Sequence, residues 1–284
     1  MGVVNTVLGP VPADELGVVA VHEALLSVVP GAQYAHDITI DRAEVFATLE
    51  RELRAFHTAG GGTVVDSTGM FHGRDVRLLE ALSRTTGVHL VASTGMGPEA
   101  LLGGYFLTPQ TNPPTPWPAE RFADLFGREV AEGMVVPRVE RRGAAGLVTT
   151  ATTRGGRTAT DESLLQGVAR AALATGAPVS LRIDDVDDLD VVLKEGLPAR
   201  RVAVVTDDPA AAIDRGAYVV VTDPALVGTL PAERVLLATG GVGVSFGEDA
   251  PAASYADLPT ALAGDVAHQV LVANPRDLLT IEES

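Results

Sequence analysis

"AGLVTTATTRGGRTATDESLLQGVARAALATGAPVSLRI" (145–183) holds a complete strand–helix–strand unit. Its ends, "AGLVTTAT" (145–152) and "APVSLRI" (177–183), are short apolar runs rich in β-formers. Between them, "TDESLLQGVARAALATG" (160–176) opens on Thr160, Asp161 and Glu162 and closes on Gly176, a helix start and stop. The flanking runs are continuous rather than alternating, as in parallel strands covered on both faces.

The same unit recurs on either side. Further strand-like runs lie at 17–23, 62–68, 87–94, 201–207, 217–223 and 234–240, which brings the total to eight. Helical patterns lie at 41–61, behind an N-cap Asp41, at 73–87 and at 118–133, each ending on glycine. Eight strands alternating with helices predict a (β/α)₈ TIM barrel in one domain, 1–284. A doubly wound open sheet is the alternative, but no glycine-rich phosphate fingerprint follows the first strand. Residues 95–120 carry the Pro-rich "TPQTNPPTPWP" (108–118), a segment suited to covering a barrel mouth. The link from Asp223 to Arg234 is too short for a full helix, so the seventh unit is expected to be trimmed.

Composition limits the function classes. Net charge is −16, with no basic footprint for nucleic acid. No apolar run is long enough to span a membrane, and "MGVVNTVLGP" (1–10) lacks the pattern of a secretion signal. There are no cysteines, which removes disulfides, thiolate metal sites and cysteine nucleophiles together. A cytoplasmic location is the default expectation. Lys194 is the only lysine among the 21 Lys and Arg residues.

In a parallel barrel the chemistry sits at the carboxyl ends of the strands. Standing there are His22 and Glu23, Asp66, Thr149, Arg182 and Asp184, Thr206, Asp223 and Thr239. No histidine occurs between His89 and His268, so the later strands lack imidazole.

The chain resembles the phosphotriesterase family of the amidohydrolase superfamily. The resemblance is carried by "TVLGPVPADELGVVAVHE" (6–23), "AGGGTVVDSTG" (59–69), "GRDVRLLEALSRTTGVHLVASTG" (73–95), "AAGLVTTATT" (144–153), "ARAALATGAPVS" (169–180) and "VLVANPRDLLT" (270–280). It implies a barrel in which two divalent ions share a bridging hydroxide that attacks an ester, lactone or phosphotriester. It also implies a homodimer. The family's ligands are a His-x-His pair, a carbamylated Lys, two further His and an Asp. They fall on His22, Ala24, Thr149, Arg182, Thr206 and Gly240, the last with Thr239 as its neighbouring alternative. One ligand of six survives. Ala and Gly offer no side-chain donor, Thr is a poor neutral ligand, and Arg182 is a permanent cation. Lys194 lies on the helix before strand 6 and cannot replace the bridge. No bound metal and no other cofactor are expected.

Each candidate has a functional and a structural reading. His22 is a general base at the mouth or a relic imidazole hydrogen-bonded in the core. Glu23 alternates with His22 and is expected to face the helix layer. Arg182 grips an anionic ligand group or pairs internally with Asp66 or Asp184. Asp66 is a base or an organiser of loop amides. Thr149, Thr206 and Thr239 form a ring of ligand-binding hydroxyls or fill space as β-branched residues. Trp117 caps an apolar ligand or anchors its loop. His36, His57 and His72 carry no clear signal. The expected function is a metal-independent enzyme acting on a small polar or anionic molecule by lyase, isomerase, cyclase or ester hydrolase chemistry. Its catalytic residues would be His22, Asp66 and Arg182, and its ligand contacts Thr149, Thr206, Thr239, Asp184 and Trp117. The alternatives are a non-catalytic binder or partner subunit, and a hydrolase with a rebuilt metal site.

Overall fold

The computed structural model describes residues 2–102, 116–136 and 139–281. Most of the Pro-rich segment expected over the mouth therefore lies outside the described residues.

The chain begins with an antiparallel hairpin, β1 (Val3–Thr6) and β2 (Gly9–Pro12). Eight strands follow around a barrel: β3 (Val18–Val28), β4 (Gly61–Asp66), β5 (His89–Gly95), β6 (Leu147–Ala151), β7 (Val179–Arg182), β8 (Val202–Val205), β9 (Tyr218–Val221) and β10 (Val235–Leu237). All pair in parallel with their chain neighbours. A further strand, β11 (Val242–Phe246), pairs in parallel with the outer half of β3. This is the expected (β/α)₈ architecture, with all eight expected strands in place.

The helices α1 (Arg42–Thr58), α2 (Val76–Thr86), α3 (Ala119–Ala131), α4 (Ala159–Thr175), α5 (Asp187–Lys194) and α6 (Pro209–Asp214) cover the outside. Their starts follow local chemistry. The Asp41 carboxylate accepts from Ala43 N and Glu44 N, and Thr158 and Asp161 form a capping box at α4. The seventh unit is trimmed as expected, since α7 (Pro224–Val227) is a single turn. Near the C-terminus, α8 (Gly264–His268) and α9 (Asn274–Leu279) return to the barrel's amino end.

The continuous apolar strands feed two cores. Ala20, Val64, Leu90, Val148, Leu181, Val204, Val219 and Leu237 pack against the helices. Val19, Val21, Val65, Val91, Leu147, Ala203, Val220, Leu236 and Ala238 fill the barrel interior. Val4, Leu16, Leu278 and Leu279 join the interior cluster and close its amino end. Val3 and Ile281 exchange backbone hydrogen bonds of 3.1 and 2.8 Å, tying the two ends of the chain together there.

Between β3 and β10 no strand ladder forms among the described residues. A side chain spans that seam: the Glu23 carboxylate accepts from Thr239 N at 2.8 Å and from the Thr239 hydroxyl. No helix among the described residues is long and apolar enough to cross a membrane.

Candidate functional site at the barrel mouth

A cavity of about 420 Å³ opens at the carboxyl ends of the strands. Its polar lining includes His22, Glu23, Ser67, His72, Thr149, Arg182, Thr222 and Glu248. A larger groove of about 760 Å³ lies outside the barrel against α1 and α2, lined by Val45, Phe46, Val76 and Leu78. Its charged groups are already committed. Arg74 pairs with Glu129, and Asp75 caps α2 and meets Arg42. The chemistry therefore belongs to the mouth cavity.

The cavity is shaped by one backbone irregularity. His22 has φ of 55°, a left-handed conformation that non-glycine residues seldom adopt. The ladder to β4 slips between Ala20 and Glu23, and β3 then turns outward to pair with β11. The kink breaks the alternation of side chains, so His22, Glu23 and Ala24 all line the cavity. Glu23 pairs in register with Asp66, in phase with Ala20, Val64 and Leu25 on the helix side of the sheet, and its carboxylate turns into the seam with β10 to meet Thr239.

His22 reaches across the barrel to β7. Its Nδ1 lies 2.8 Å from Ser180 Oγ, and its Nε2 lies 3.3 Å from an Arg182 guanidinium nitrogen. A guanidinium can only donate, so Nε2 is the acceptor and the ring proton sits on Nδ1, facing Ser180. Burial, reinforced by Arg182, lowers the His22 pKa to about 3. An imidazole with both nitrogens engaged and so low a pKa is not a general base near neutral pH. His22 instead positions Arg182.

Arg182 meets no carboxylate within ion-pair distance among the described residues. Burial and the nearby Arg154 lower its pKa, while Glu248 opposes them from beyond ion-pair distance. It does not pair with Asp66 or Asp184, and Asp184 is exposed outside the cavity lining. Glu23 is only 1 % exposed. Burial pushes its carboxyl up to about 7, with Thr239's hydrogen bonds opposing and Asp66 adding to the rise.

Asp66 is buried and faces away from His22. It accepts from Leu25 N at 2.9 Å, from Thr68 N at 3.2 Å and from the Thr68 hydroxyl. It holds the β3 kink against the loop after β4, so His22 and Asp66 do not form a proton-transfer pair.

The hydroxyl ring is only partly assembled. Thr149 lines the cavity, with its hydroxyl donating to Ser180 O at 3.1 Å. Thr206 follows inward-facing Val205 and is out of phase; its Oγ1 accepts from Asp208 N at 3.3 Å. Thr239 likewise follows inward-facing Ala238 and is spent on Glu23. Trp117 is buried beside Phe122, ring centroids 5.5 Å apart, with the Arg121 guanidinium carbon 3.6 Å from its ring centroid. It anchors the start of α3 and does not line the cavity.

Two residues without a sequence signal also face the cavity. Ser67 Oγ and His72 Nε2 are buried and have no hydrogen-bond partner among the described residues.

A family model described as "Phosphotriesterase family" matches residues 2–205. The chain belongs to the phosphotriesterase family. Among curated proteins, it is 27% identical to the phosphotriesterase homology protein of Mycobacterium tuberculosis over 208 residues, covering 70% of this chain and 62% of that protein. It is 29% identical over 171 residues to an aryldialkylphosphatase of Saccharolobus solfataricus, covering 60% of this chain and 50% of that one. An N-acetyltaurine hydrolase of Salmo salar is 29% identical over 121 residues, covering 33% of this chain and 35% of that protein. The matches thus span less than two thirds of these relatives' own lengths. Among solved structures, a lactonase template engineered for organophosphate hydrolysis superposes with a TM-score of 0.83 at 21% identity, covering 98% of this chain and 100% of that one. An engineered organophosphorus hydrolase from Deinococcus radiodurans gives 0.82 at 22%, covering 97% of each chain.

This phosphotriesterase-family chain lacks the donor set its resemblance implies. Where two divalent ions would need six ligands, it has His22, Ala24, Thr149, Arg182, Thr206 and Gly240. His22 spends both nitrogens on Ser180 and Arg182, and Thr206 points away. Among the described residues, no three His, Asp or Glu side chains converge as metal ligands. The residues present do not fit a binuclear metal centre.

Proposed function

We propose that this phosphotriesterase-family chain is a metal-independent enzyme that binds a small anionic molecule at the barrel mouth and transfers a proton on it. The observation that carries the reading is Arg182, a guanidinium aimed into the mouth cavity with no carboxylate in contact. Arg182 is exposed to the cavity and holds no carboxylate partner among the described residues, so its guanidinium is open to an anionic group of the ligand by bidentate pairing. Neutral His22 holds one guanidinium nitrogen and leaves the others to the ligand.

Glu23 is the proton-transfer group in this reading. A carboxyl near 7 is populated as both acid and base at neutral pH, which is what general acid–base work needs. With Arg182 steadying developing negative charge, the pair suits lyase, isomerase or cyclase chemistry, or hydrolysis of an activated ester.

Sulfate is a suitable first probe because it stays dianionic throughout the working pH range. It is expected to raise the thermal midpoint of the chelator-treated protein saturably. Arg182→Gln is expected to weaken that binding by at least about thirtyfold, the range for a lost charge-assisted pair. Equal sulfate affinity in the variant and the wild type would refute the anion site.

A further inference from the structure

His22 braces two residues of one strand. Ser180 and Arg182 stand two apart on β7, so both side chains project from its inward face, while Val179 and Leu181 pack in the helix-side core. The imidazole reaches both of them from β3, across the barrel. Its Nδ1 lies 2.8 Å from Ser180 Oγ, and its Nε2 lies 3.3 Å from an Arg182 guanidinium nitrogen. The ring is held there against backbone strain, since His22 keeps a left-handed φ of 55°. Ser180 is only 2% exposed, so solvent does not stand in for its hydroxyl.

The order of protons along this row is fixed from the Arg182 end. A guanidinium offers only N–H donors, so Nε2 must present its lone pair to it. The ring proton is then on Nδ1, and the Ser180 hydroxyl oxygen accepts it. Without that oxygen, a buried N–H is left with no partner. The other neutral tautomer carries its proton on Nε2, where it opposes the N–H groups of Arg182 and displaces the guanidinium. Ser180 therefore acts on Arg182 through His22, although it does not itself line the mouth cavity.

We infer that Ser180 is a positioning residue of the anion site: its hydroxyl locks the His22 tautomer that holds Arg182 in place for the ligand's charged group. The inference rests on the anion-site reading of Arg182 and adds to that site a residue outside the cavity lining.

Heteronuclear NMR of the imidazole nitrogens and calorimetry with sulfate test it together. In the wild type at neutral pH, His22 is expected to show a protonated Nδ1 and an unprotonated Nε2. In Ser180→Ala the proton is expected to shift toward Nε2, and sulfate binding to weaken about three- to tenfold, the range of one net hydrogen bond. His22→Ala is expected to weaken sulfate binding at least as much. In the His22→Ala background, Ser180→Ala is expected to cost less than about twofold, because the group it acts through is gone. Circular dichroism confirms that the variants fold, and the wild-type tautomer is read without them. A wild-type His22 protonated on Nε2 would overturn the inference and leave the anion site standing. So would equal losses from Ser180→Ala in both backgrounds, or no loss in either. If Arg182→Gln leaves sulfate binding unchanged, both the anion site and the inference are wrong.

Discussion

Glu129→Ala is expected to lower the unfolding free energy by about 3–5 kcal/mol, the cost of stranding one member of a buried ion pair. Glu129 on α3 and Arg74, in the loop before α2, are 1% and 7% exposed. They meet in a two-pronged contact of 2.6 and 3.0 Å. Arg74 also donates to Ser93 O at 2.9 Å, and Glu129 accepts from the Thr94 hydroxyl at 2.7 Å and from Val135 N at 3.1 Å. The cluster thus pins α3 to the end of β5. Burial pushes the Glu129 carboxyl up, but the Arg74 pairing and the Thr94 and Val135 bonds outweigh it and hold the pKa below 4.5. A depressed carboxyl contributes stability above its unfolded pKa and loses it as pH falls through the folded value. The mutational deficit should therefore be full at neutral pH and shrink in acid. The double variant Arg74→Met with Glu129→Leu should recover much of the loss, because no charge is left unpaired. Urea denaturation of the three proteins decides the matter. A deficit under about 1 kcal/mol for Glu129→Ala would mean that Arg74 finds another partner.

Glu23→Gln is expected to do the opposite at high pH. The Glu23 carboxyl lies at about 7 in the folded protein against 4.5 when unperturbed. A raised carboxyl contributes its full share of stability below the unfolded pKa and loses it as pH rises through the folded one. The loss between those limits is about 3 kcal/mol. Glutamine has the same shape; its oxygen accepts from Thr239 N, and the Thr239 hydroxyl can turn to accept from its amide. The variant should therefore gain about 2–3 kcal/mol on the wild type between about pH 5 and pH 8.5, measured by urea denaturation at each end. A constant difference across that range would show that the carboxyl titrates normally. A stabilising substitution at a buried position is a common sign that the natural residue is kept for activity.

The barrel was legible because its signals are redundant. Eight apolar runs, glycine-terminated helices such as α2 and α4, and the short Asp223–Arg234 link all point to one architecture. The site was less legible because parallel strands hide their phase. In "RVAVVTD" (201–207) every central residue is apolar, so the sequence does not say that Val205 faces inward and Thr206 outward. The left-handed His22 leaves no trace in composition, and neither the continuation of β3 to Val28 nor its pairing with β11 was foreseen. Glu23 did carry a signal. Counting by twos from an inward His22 places it outside, and the slip between Ala20 and Glu23 keeps it there, in phase with Val64 and Asp66. His72 carried none, since its position depends on the backbone at Phe71 and on the hydrogen bond to Val28.

The central claim is that the mouth is built around the cation Arg182 rather than around bound metal. Elemental analysis of the purified, untagged protein after dialysis against zinc and manganese tests it most directly. The account predicts substoichiometric metal, with sulfate binding unaffected by chelation. One or two equivalents of metal per chain, lost on chelation together with ligand binding, would contradict it.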